Sequence, residues 1–153
     1  MTVSKLCERY RLDLEKGLIL GKGDRLKKPS TISTDIGRID RHILPLLGNR
    51  RVKDLTTRDI NRAMKDIMHG KTRVSVKTSK LRGRSIVRGG AGTAARTIGL
   101  FGGILTYAVG LGVIDRNPAA LASVNTDYLE QSSKMLVRKK NTKLPRRLSD
   151  CSR

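Results

Sequence analysis

Seven cationic side chains, Lys71, Arg73, Lys77, Lys80, Arg82, Arg84 and Arg88, fall within 18 residues that contain no carboxylate. They are separated by Gly, Ser, Thr and Val and show no helical apolar stripe. Like charges at this density repel one another unless a polyanion is present. A nucleic-acid backbone rewards such a cluster, because each phosphate it neutralises releases condensed counterions. A solvated loop is the plainer reading of the same residues. A membrane surface fits less well, since the segment has no apolar face to bury in lipid. Other reactive residue types are sparse. Cys7 and Cys151 have no second Cys or His at ligand spacing, which argues against a zinc site or a disulfide framework, so Cys7 reads as helix core and Cys151 as tail. Gly89-Gly90-Ala91-Gly92 looks only superficially like a phosphate-cradling loop, because no strand precedes it and no Lys-Ser/Thr follows. Its plainer reading is a flexible entry to a helix, but the start of that helix is itself an anion site where Thr93 and Arg96 can hold a phosphate. No cofactor or metal is expected.

The whole chain shares this bias: 153 residues carry 33 Lys+Arg against 13 Asp+Glu, a formal net charge of +20. Between Ile67 and Ile114 there are 8 basic residues and no acidic one. The length predicts one domain, or one domain with a tail, and 37% apolar residues suffice for a core. No stretch approaches the roughly 18 apolar residues of a membrane span, and the charged first ten residues do not form a signal peptide. A soluble intracellular protein is expected.

The cationic segment must be held by helices. Val3, Leu6, Cys7, Tyr10 and Leu14 recur at helical spacing, leaving Lys5, Glu8, Arg9 and Asp13 on the opposite side. Gly21 to Pro29 reads as a basic connector. Ser30 or Thr31 opens a second helix whose Ile32, Ile36, Ile39 and Ile43 form one buried stripe, ended by Pro45 with Gly48. Thr56 predicts an N-cap answered by Asp59, with Leu55 stapled to Ile60, and Ile60, Met64 and Ile67 face the core of this third helix until Gly70. A last helix from about Thr93 to Leu111 carries two stripes, Ala94-Ile98-Phe101-Leu105-Ala108 and Leu100-Ile104-Tyr107-Leu111, and should be central. Gly99, Gly102 and Gly103 within it suggest close approach of a neighbouring helix. With no convincing strand pattern, the predicted fold is all-α, a small four- to five-helix bundle over residues 1–118, followed by a basic linker or tail over 119–153.

Three stretches, taken in order, resemble the core-binding, SAM-like N-terminal domain of the tyrosine recombinase (phage integrase) family. Thr31 to Arg50 is similar to the family's helix followed by His-Ile-x-Pro-x-Leu-Gly, here His42 to Gly48. Val52 to Ile60 is similar to the opening of its next helix, and Gly89 to Thr97 with Tyr107 to Pro118 to its last bundle helix and exit. The resemblance implies a helical domain that lies on duplex DNA as half of a C-shaped clamp, with a role in DNA integration and recombination. Transferred by position, it nominates Lys27, Lys28, Thr31 and Thr34 at the start of the second helix, Arg38 one turn on, and Thr93, Arg96 and Thr97 at the start of the last. Lys71 to Arg88 would track the backbone or enter a groove. Most of these contacts should go to phosphates, with Arg38, Arg84 or Arg96 as candidates for reading guanine edges. It also implies a bacterial, nucleoid-associated cytoplasmic protein, with sister recombinase protomers and accessory bending proteins as partners on an attachment-site-like duplex.

The family's other half is a catalytic domain with Arg, Lys, His-x-x-Arg and a Tyr nucleophile. Arg146 to Asp150 looks like its first residues, so the chain reads as a fragment, a premature stop or a frameshifted remnant. Neither His42 nor His69 has Arg at the third position after it, and Tyr10, Tyr107 and Tyr128 lack the arginine cluster that phosphoryl transfer requires. His42 reads as a packing residue and no catalysis is expected. The rival readings are a basic helical RNA-binding protein, a non-functional integrase remnant, and a helix-turn-helix regulator, the last opposed by the long basic insert where a tight turn should be.

Overall fold

The computed structural model describes residues 1–21, 23–77 and 84–120. Lys80, Arg82 and the tail from residue 121 lie outside the described residues. Helix α1 (Val3–Glu15) is capped by the Thr2 hydroxyl, which accepts from the Lys5 N–H, and it buries Val3, Leu6, Cys7, Tyr10 and Leu14 as its periodicity predicts. Its N-terminus is tied to the middle of the chain: the Val3 N–H donates to Arg50 O at 2.9 Å and the Val52 N–H to Met1 O at 3.1 Å. Burial pushes the Cys7 thiol up to about 11, so it stays protonated and behaves as a small apolar side chain.

Helix α2 (Pro29–Arg38) starts with Pro29 at a position where a missing N–H costs nothing. It runs on through a π-helical turn (Ile39–Ile43) into the short α3 (Leu44–Leu47). The Leu44 N–H reaches back five residues to Ile39 O, and the wider turn carries the backbone into Pro45 without ending the helix there. The predicted isoleucine stripe is therefore buried only in its second half. Ile39 and Ile43 are enclosed, Ile32 and Ile36 are half-buried, and in α2 itself the buried residue is Asp35. The connector folds Lys27 over that flank, so a carboxylate with cationic partners fills the place expected for an isoleucine.

A 3-10 turn (Val52–Asp54) leads to α4 (Thr57–Met68), whose start is the predicted capping box: the Asp59 N–H donates to Thr56 Oγ1 at 3.3 Å and the Thr56 N–H to Asp59 Oδ2 at 3.2 Å. The Thr56 hydroxyl also lies 2.9 Å from Asp59 Oδ2 and donates to it, and this bond, with that from the Thr56 N–H, holds the Asp59 carboxyl below the usual carboxylate range. The final helix, α5 (Ala91–Gly110), lies against both α1 and α4, and Ala94, Ile98, Phe101, Leu105 and Ala108 are all buried. Its glycines do not mark a helix crossing. Among the described residues, nothing approaches Gly99 or Gly103 within 4 Å of where a Cβ would sit, and Gly102 has one neighbour, the Ala119 methyl at 3.6 Å. After α5, Asn117 Nδ2 donates to Gly102 O at 2.9 Å and Thr57 Oγ1 donates to Pro118 O at 3.1 Å, which pins the exit segment against α4 and α5.

The molecule is mostly helical, as the sequence predicts, with one departure. The basic insert read as a loop contains an antiparallel ribbon of β1 (Val74–Lys77) and β2 (Arg84–Val87), paired Val74 to Val87, Ser75 to Ile86, Val76 to Ser85 and Lys77 to Arg84. The β-branched residues Val74 and Val76 alternate along β1, and Ile86 and Val87, adjacent on β2, add strand-forming residues to its partner. Seven cations in the same stretch mask that pattern, because charge density reads as loop in any local window.

Candidate nucleic-acid interface

The ribbon stands on a closed base. Gly70, just beyond α4, and Gly89, just before α5, both adopt left-handed backbone conformations with φ of 74° and 79°. A Cβ on Gly89 would lie 2.5 Å from Ile67 O and 3.0 Å from Gly70 Cα, so the two strands of the base cross in direct backbone contact that only glycine permits. Ile67 O accepts from the Gly70 N–H at 3.0 Å and from the Gly90 N–H at 3.3 Å, joining the end of α4 to the start of α5. Gly89 is thus packed against the end of α4 at the segment read as a flexible entry, while Gly92 is exposed.

A buried hydrogen bond ties the same base to the π turn. His42 Nδ1 and Thr72 Oγ1 lie 2.6 Å apart, with the two residues 2% and 7% exposed. Burial, with Arg41 and Arg38 nearby, lowers the His42 pKa below its ordinary value, so the ring is neutral at pH 7. The consequence for stability has a definite sign. Above the unfolded value of about 6.5 both states carry a neutral ring. Below it the unfolded chain takes up a proton that the folded one refuses, so stability falls with pH until the folded pKa is reached. Urea midpoints measured between pH 8 and pH 5 should decline below about pH 6.5, and His42→Gln should remove most of that decline. An unchanged slope in the variant would assign the acid sensitivity to other groups.

One turn earlier, Asp35 sits between two of the nominated cations. Lys27 Nζ donates to Asp35 Oδ2 at 3.0 Å and to Tyr10 Oη at 3.2 Å, and Arg38 donates to Asp35 Oδ1 at 3.2 Å. Burial works against the Lys27 ammonium, but the bonds to Asp35 and Tyr10 together outweigh it and raise its pKa. Lys27 and Arg38 therefore spend their charge on a buried carboxylate, with side chains only 16% and 26% exposed. Lys71 is paired with Asp66 at 3.3 Å, though its side chain remains 62% exposed.

The remaining nominated residues fall into distinct classes. Lys28, Thr31, Thr34, Arg73, Arg88 and Arg96 are exposed and Thr93 is half-exposed. Among the described residues, none of these cations has an acidic partner. Thr34 donates its hydroxyl proton to Ser30 O at 2.8 Å and keeps only acceptor capacity. Helix α5 has no side-chain N-cap, since Gly90 occupies that position, which leaves its first-turn N–H groups beside Thr93 and Arg96. Thr97 is a correction to the nominated set: it is 0% exposed inside the bundle with an unpartnered hydroxyl, because it falls next to Ile98 on the inward face of α5. Lys77 and Arg84 are located by strand register at the far end of the ribbon. Among the described residues, no three of His, Cys, Asp and Glu come together as a metal site, and no helix is long and apolar enough to cross a membrane.

Sequence reasoning did not find Asp35, Thr72 or the Gly70–Gly89 crossing. A carboxylate between Ile32 and Ile36 was the available signal for Asp35. The other two depend on contacts between residues 30 and 19 positions apart, respectively.

No curated protein and no solved structure matches the chain. A family model does match residues 25–68, from the end of the connector to the last turn of α4, leaving α1, the ribbon and α5 outside the matched stretch. The part of the chain that holds the buried Asp35, the π turn and the capping box is similar to the phage integrase N-terminal SAM-like domain.

Proposed function

We propose that the chain binds duplex DNA as the core-binding domain of a phage-type tyrosine recombinase. The supporting observation is the pairing of an integrase SAM-like segment with a carboxylate-free basic insert whose base is fixed to that segment by His42 and Thr72. A domain of this family suggests DNA as the general partner, and the exposed Lys28, Arg73, Arg88 and Arg96 supply charges that no carboxylate among the described residues neutralises. Thr31 and Thr93 add neutral hydrogen-bonding groups near helix N-termini, while the Thr34 proton is given to Ser30 O. In this reading residues 1–118 form the DNA-binding unit and residues 119–153 a basic linker or tail. The duplex is an attachment-site-like sequence shared with sister protomers.

Anisotropy titrations of the chain against matched duplex DNA and double-stranded RNA should give at least about tenfold tighter binding to DNA. An A-form duplex has a deep, narrow major groove that protein elements do not enter. Equal or tighter binding to RNA would replace this reading with that of a basic RNA-binding protein.

A further inference from the structure

The geometry points to the β1–β2 ribbon as a base-reading element that enters the DNA major groove, with Ile86 and Ser75 as the residues that meet base edges. This deepens the DNA-binding reading and rests on it. The ribbon makes no extensive contact with any helix among the described elements. A two-stranded ribbon alone in water is marginal at best, yet this one is locked at its base by the glycine crossing, by His42 and Thr72, and by the junction of α4 with α5. A rigid base with an uncovered ribbon suits an element whose partner lies outside the chain.

Dimensions choose the groove. Paired strands lie about 4.8 Å apart, and their backbones and side chains make the ribbon roughly 10 Å across, which fits a major groove about 12 Å wide and not a minor groove about 6 Å wide. The register chooses the face. Ser75 and Ile86 are directly opposed, so they lie on the same side of the ribbon, and both are exposed, Ile86 to 50%. Arg73 and Arg88 each lie two residues from this pair, both on the base side of it, and are also exposed. An isoleucine beside a hydroxyl, with two arginines next to it at the base of the ribbon, offers a surface for a thymine methyl, a small donor and acceptor for a neighbouring base, and two cations for the phosphates at the groove edge. The occupant that fits is duplex DNA, by charge as well as by width, since residues 71–88 contain no carboxylate.

The test uses the full chain with three probes: a random-sequence duplex, the same duplex carrying glucosylated 5-hydroxymethylcytosine, which fills the major groove, and the plain duplex saturated with distamycin, which fills the minor groove. Glucosylation should weaken binding by about tenfold or more, and distamycin should change it less than about twofold. Ile86→Ala should lose several-fold affinity for the plain duplex and nothing further on the glucosylated one, while Ile86→Val, which keeps the branched methyls, should retain most of the affinity. Unchanged thermal transitions in both variants would separate contact from folding. Binding that survives glucosylation and is displaced by distamycin would overturn the ribbon proposal and leave the DNA-binding reading standing. So would an Ile86→Ala variant that binds like the parent. Absence of duplex binding at low salt would overturn both.

Discussion

Ile39→Asp is expected to abolish the cooperative thermal transition of this protein. Ile39 is 0% exposed at the first position of the π turn, in the same core as Leu6, Ile43 and Phe101. Removing its side chain forfeits about 2–4 kcal/mol of burial and cavity energy. An unpaired carboxylate placed there adds several kcal/mol of desolvation or forces the group to stay protonated. The sum approaches the whole stability of a small domain, about 5–15 kcal/mol. Circular dichroism should show loss of helicity or a featureless melt, and Leu12→Asp, on the exposed side of α1 at 57% exposure, should melt within a few degrees of the parent. A normal transition in Ile39→Asp would mean that the π turn is oriented differently from the structure described above.

The second large effect lies in binding. If the exposed cations and the ribbon neutralise about five or six phosphates, log K should fall with log salt at a slope near −5. Raising salt from 50 to 200 mM would then weaken duplex binding by roughly 1,000-fold. Replacing Arg73 and Arg88 together with Ala should reduce the slope by about two, because each contributes one phosphate contact, and should do so on any sequence. Lys27→Ala should behave differently. Its ammonium is held by Asp35 and Tyr10, so its loss should appear in stability, by exposing a buried carboxylate to an incomplete set of partners, and leave the slope nearly unchanged. A parent slope shallower than −2, or a double variant that keeps the full slope, would remove electrostatic backbone binding as the basis of recognition.

These two expectations draw on different layers of information. The core that Ile39 belongs to is written in local periodicity. Spacings of three and four residues place apolar side chains on one helix face whatever the rest of the chain does, so α1, α4 and α5 and most of their buried residues follow from the sequence. The Thr56–Asp59 capping box is legible for the same reason, because all of its atoms lie within four residues. Charge is additive along a chain, so the cationic character of residues 71–88 also needs no structure.

What the sequence could not settle depends on partners distant along the chain. The insert becomes a ribbon because Ser75 pairs with Ile86, and its direction is set by His42 meeting Thr72 and by Gly89 resting on Ile67 and Gly70. Lys27 and Arg38 looked like two free cations, but the fold brings Lys27 across α2 so that both pair with the one buried Asp35 carboxylate. Thr97 looked like a surface threonine at a helix start, and the packing of α5 turned it inward. Periodicity and net charge are sums over neighbours in sequence, and they determined the helical class and the cationic excess. Which charges remain free to meet a phosphate, and where the ribbon points, are pair properties of residues tens of positions apart, and only the tertiary fold decides them.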